Sequence, residues 1–131
     1  MRLEPGLYHM PNADVDDLIH ELEAEGRAVL LLRDDVTDAI SFFEAMKERL
    51  PLDPPVVGSE KWDALSDSLW GGLDAFGPNE VAIVWPGSRA MADTAPNAFA
   101  IACEILSNVA TSLADHDTTV GEPTRVVAIL V

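Results

Sequence analysis

Three carboxylates in the stretch Gly58 to Trp70, GSEKWDALSDSLW, carry the spacing of a shared face. Wound at about 100° per residue, Glu60, Asp63 and Asp67 fall on one side of a short helix, while Trp62, Leu65 and Leu69 fall nearly opposite. An isolated helix gains nothing from Asp63 and Asp67 one turn apart, because like charges at that spacing repel. Three chemistries use such a face. A carboxylate pair can act as general acid and base, as in glycoside hydrolysis, but it then needs a cleft. It can hold a hard cation, although Ca²⁺ collects about six to eight oxygens, typically from a loop with a glycine turn, and no such loop is spelled here. It can also meet the guanidinium and ammonium groups of a cationic partner through short, charge-assisted bonds. A merely solvated polar face is the plain alternative.

The other reactive side chains offer less. His9, His20 and His116 are scattered, without an HExxH pattern or a cysteine partner for zinc. Cys103 lies in an apolar stripe and reads as a small buried hydrophobe rather than a nucleophile. Ser66 and Ser68 lack a GxSxG setting, and there is no phosphate-cradling glycine loop. The residues therefore point to no catalytic set, metal site or cofactor.

Charge favours the binding reading. Eight basic against 23 acidic side chains give a formal net charge of −15, which disfavours nucleic acid or an anionic membrane as direct partner. A basic macromolecule is the natural counterpart, with solubility alone as the bland explanation. The hydrophobic fraction of 48% fits a folded chain, and residues 1–131 are expected to form one domain. The start MRLEPG lacks a basic-then-apolar leader pattern, no apolar run approaches about 18 residues, and a lone cysteine excludes an internal disulfide. A cytoplasmic location is the default expectation.

The elements that must position the acidic helix follow from pattern. Gly6 to Met10 is a short possible strand, and Asp14 caps a helix with a stripe at Val15, Leu18, Ile19 and Leu22. Ala28 to Leu32 is an unbroken apolar run, the mark of a strand covered on both faces. Thr37 or Asp38 caps a helix whose core side is Ala39, Phe43, Met46 and Leu50. Ser59 suits the N-cap of the acidic helix, and the pair Gly71–Gly72 is expected to end it. Val81 to Trp85 and Arg125 to Val131 read as further buried strands. Asn97 is placed to cap a long helix carrying Phe99, Cys103, Leu106, Ala110 and Leu113. Strands separated by helices imply parallel pairing through right-handed crossovers. The expected fold is α/β, a small parallel sheet of three strands, possibly with a fourth N-terminal one, packed by helices in two or three layers.

The run Trp62-Asp63-Ala64-Leu65-x-Asp67-x-Leu69, shortly after Gly58 and a proline-bearing loop, resembles the signature helix of the barstar family of ribonuclease inhibitors. The order of flanking strands and helices agrees over roughly residues 28–131, with 1–27 as an N-terminal strand and helix extension. The resemblance implies a non-enzymatic inhibitor, without cofactor or metal, that plugs the active site of a small basic ribonuclease as a monomer in a one-to-one complex. It implies that Asp67 is the principal phosphate mimic and Asp63 its companion, with Glu104 a possible further acid on the long helix. The expected partner-binding set is Asp67, Asp63, Glu60, Val56, Val57, Gly58 and Trp70. Val56 and Val57 stand where the family usually has an aromatic pair, and Lys61 where it has an asparagine. The other reading is an antitoxin or immunity module of the same fold that binds a different basic toxin, or no nuclease.

Overall fold

A computed structural model describes residues 3–58, 61–115 and 123–131. Four strands, β1 (Gly6–His9), β2 (Ala28–Leu31), β3 (Glu80–Trp85) and β4 (Arg125–Leu130), form one sheet in the order β1-β4-β3-β2, and every pair is parallel. Five helices connect them: α1 (Val15–Ala24), α2 (Ala39–Arg49), α3 (Trp62–Ala75), α4 (Arg89–Thr94) and α5 (Pro96–Leu113). The α/β expectation and the optional fourth strand are both met.

The period-two geometry of β3 and β4 sorts their side chains onto two faces. Val81, Ile83, Trp85, Val126, Ala128 and Leu130 point into a core shared with α2, α3 and α5. Ala82, Val84, Val127 and Ile129 point the other way, onto Leu22 and the half-buried Val15 and Leu18 of α1. The sheet therefore lies between one helix and a layer of several. β2 departs from expectation. It occupies an edge, so its side chains are only partly covered and Leu31 is 38% exposed.

Local chemistry explains the helix starts. The Asp14 carboxylate accepts from the Asp17 N–H at 3.0 Å. Asp38, not Thr37, caps α2: its carboxylate accepts from the Ser41 N–H at 2.8 Å while the Ser41 hydroxyl accepts from the Asp38 N–H at 3.1 Å. The Ser41 backbone N–H first, and second its hydroxyl, which donates to the same carboxylate at 2.7 Å, hold the Asp38 carboxyl below its usual pKa. Asn97 is not a cap. Pro96 opens α5 instead, where its missing N–H costs nothing. The segment before it forms the short helix α4.

Packing explains what periodicity missed in α2. Phe42 is as buried as Phe43, because the helix is covered on two sides. Phe42 meets Trp85 at 5.0 Å and Trp62 at 6.0 Å, and Phe43 meets Trp62 edge-on at 4.9 Å.

The glycine pair does not stop α3, which runs through Gly71 and Gly72 to Ala75. Their role is close approach. A Cβ on Gly72 would collide with the Pro51 carbonyl and one on Gly71 with that of Asp53, where the incoming loop crosses the helix. The Asp53 N–H donates to the Ser68 carbonyl at 3.0 Å at this crossing. Gly72→Ala is expected to lower stability by at least about 1–3 kcal/mol, the usual cost of overpacking, despite its better helix propensity. A denaturant titration checks this; a stabilised variant would mean the crossing is loose.

Candidate functional site

The loop Pro51 to Gly58 and helix α3 are positioned as one unit. At its start the loop is pinned by the crossing over Gly71 and Gly72; at its end the Lys47 ammonium donates to the Gly58 carbonyl at 2.7 Å. Gly58 has φ +88, a left-handed conformation that suits glycine and turns the chain toward α3. Between these points the valines divide. Val56 is half-buried and packs on the core beside Leu50 and Leu52, whereas Val57 is 87% exposed, an apolar lip on the loop.

The helix begins at Trp62, with Lys61 in the N-cap position and no side-chain cap. Ser59 and Glu60, the expected cap and third acid of the face, lie outside the described residues. Trp62 is half-buried against Phe42 and Phe43, which fixes the start of the helix on the core. Asp63 and Asp67 are exposed on the far side and line one open depression of about 660 Å³ with Lys61 and Ala64. Asp63 also lines a second depression, about 220 Å³, between α3 and α5. Its other wall carries Ile101, Glu104 and Asn108. Glu104 thus joins Asp63 and Asp67 at two adjoining hollows.

None of these three carboxylates makes a hydrogen bond or ion pair among the described residues. Some acids elsewhere do have partners: Arg33 stands 2.9, 3.3 and 3.5 Å from Asp35, Glu44 and Glu48. Lys61 is exposed in the same depression as Asp63 and Asp67, and its ammonium likewise makes no bond among the described residues. The surface is a mostly anionic face with one cation at its edge. Unmatched carboxylates on an open face can accept charge-assisted bonds from cationic groups. Its two aspartates project from one helix onto an open surface rather than across a cleft, which does not suit paired acid–base catalysis.

Trp70 is half-buried, and its indole N–H donates to the Ser112 hydroxyl at 3.1 Å. It lines neither depression. Its visible work is to tie α3 to α5. Burial pushes the Cys103 thiol up to about 11, so the sulfur stays protonated and poorly nucleophilic near neutral pH. Among the described residues no cluster of His, Cys, Asp and Glu is arranged to hold a metal, and His116 lies outside them. No helix of the described residues is long and apolar enough to cross a membrane.

Sequence spacing alone under-read the second wall. Ile101, Glu104 and Asn108 follow one another at three and four residues along α5, and an isoleucine on that otherwise polar row, 38% exposed, is the available signal.

The family model described as Barstar (barnase inhibitor) matches residues 27–127. No curated protein and no solved structure gives a significant match to the chain.

Proposed function

The chain belongs to the barstar family, and from that premise we propose that it inhibits a small basic ribonuclease by laying the acidic face of α3 into the enzyme's phosphate-binding cleft. One observation carries the reading: Asp63, Asp67 and Glu104 border adjoining depressions and have no partners among the described residues. In this reading the carboxylates take the places of RNA phosphates and accept charge-assisted hydrogen bonds from arginine, lysine or histidine. Glu60 and Gly58 belong to the same contact, Val57 supplies apolar area at its rim, and Val56 and Trp70 support it from behind. The inhibitor acts as a cytoplasmic monomer in a one-to-one complex, without cofactor and without turnover. The net charge of −15 adds long-range steering toward a basic enzyme.

Salt separates this mechanism from apolar docking. Inhibition of RNA cleavage by barnase or another small basic ribonuclease is expected to weaken steeply between low salt and about 1 M, where the screening length falls to about 3 Å. The inhibition constant measured across that range checks it. A constant that holds flat would overturn electrostatic mimicry.

A further inference from the structure

We infer that the crevice at the carboxyl ends of β1 and β4 is a second binding site, for a small anion carrying a flat apolar body. The topology makes the opening. After β1 the chain departs to α1 on one face of the sheet, and after β3 it departs through α4 to α5 on the other. β4 lies between β1 and β3, so the two departing segments diverge above its end. Parallel α/β sheets place ligands at such points, where neighbouring connections leave to opposite faces. Here the gap measures about 490 Å³, within the usual size range of small-molecule pockets.

Its lining suits an anion. His9 and Asn12 stand on the β1 wall and Arg89 on the α4 wall, and neither His9 nor Asn12 makes a side-chain hydrogen bond among the described residues. Arg89 uses one edge: its Nε lies 3.6 Å from the Asp93 carboxylate, which leaves the rest of the guanidinium fork free. Asp93 is the one carboxylate side chain of the lining and is engaged by that contact. The inner wall supplies the apolar part. Phe99 lines the crevice with its ring held 5.5 Å from Trp85, and Leu130 lies beside it. Ser88 is spent internally, its hydroxyl donating to the Val131 carbonyl at 3.4 Å. Free donors on opposing walls above a fixed aromatic ring fit an aryl carboxylate or aryl phosphate; a nucleoside monophosphate shares that chemistry. The site uses none of the acidic face of α3, so it stands or falls apart from ribonuclease inhibition.

Amide chemical shifts of the full chain, followed during titration with phenyl phosphate, benzoate and inorganic phosphate, test the assignment. Phenyl phosphate should move the signals of His9, Asn12, Arg89 and Ala92 along saturable curves. Arg89→Ala should weaken that binding by about tenfold or more, the worth of a charge-assisted bond, while the control Arg49→Ala leaves it unchanged. Benzoate binding with phenyl phosphate would widen the ligand class to carboxylates, and inorganic phosphate alone should bind more weakly than either. No saturable shift, shifts elsewhere on the surface, insensitivity to Arg89→Ala, or inorganic phosphate binding as tightly as phenyl phosphate would each overturn the proposal.

Discussion

Asp67→Ala should weaken ribonuclease inhibition by about 2–5 kcal/mol, from tens to thousands of fold, the usual cost of truncating one member of a buried interfacial charge pair. Much of that cost falls on the partner. Cations that the Asp67 carboxylate would have met in the complex are left desolvated and unmatched. In the free chain Asp67 is exposed and unpaired among the described residues, so its removal takes away no internal bond and relieves its repulsion with Asp63. The melting temperature should stay level or rise slightly. Inhibition constants and thermal melts of the same preparation check both halves; a large loss of stability with inhibition intact would make Asp67 a structural acid.

Trp62→Ala is expected to act in the opposite way, lowering stability by about 3 kcal/mol, near the low end of the range for truncating a buried aromatic because part of the ring is exposed. The loss is concentrated at one place. The indole packs on Phe42 at 6.0 Å and edge-on against Phe43 at 4.9 Å, and it anchors the first turn of a helix that has no side-chain cap. Without it, that turn loses its hold on α2. Denaturant midpoints should therefore fall clearly, and inhibition should weaken as the Asp63 end of α3 frays. Trp62→Phe should recover most of the stability. A Trp62→Ala chain with an unchanged midpoint would place the ring on the surface.

These two residues also show how far the sequence could be read. The pattern of Trp62, Leu65 and Leu69 against Asp63 and Asp67 survives in the structure because an amphipathic helix carries its own orientation. The apolar runs likewise located β3 and β4, and Asp14 and Asp38 were legible as caps from residue type and place. What failed was information held by other elements. Gly71 and Gly72 look like a helix end, but the loop at Pro51 and Asp53 decides their role by crossing there. Phe42 falls off the single-faced stripe of α2 because Trp62 and Trp85 close a second side. The covered strand expected at Ala28 is an edge, since strand order is a property of the whole sheet. Pro96 took the helix start that Asn97 had suggested.

The candidate site divides along the same line. Asp63, Asp67 and the Val57 lip belong to one continuous stretch and were visible in it. The hollow between α3 and α5 required knowing that two helices far apart in sequence pack side by side, and it brings Glu104 to Asp63. Lys61, in the N-cap position ahead of the first helical turn, lines the depression of the aspartates.

The most direct test titrates barnase and other small basic ribonucleases with the native chain and with the double variant Asp63→Asn, Asp67→Asn, which keeps the shape of the face and removes its charge. The native chain should inhibit at least one of them competitively and with one-to-one stoichiometry, and the double variant, melting at the same temperature, should lose that inhibition. A folded double variant that inhibits as well as the native chain, or a native chain that inhibits none of them, would contradict phosphate mimicry by α3.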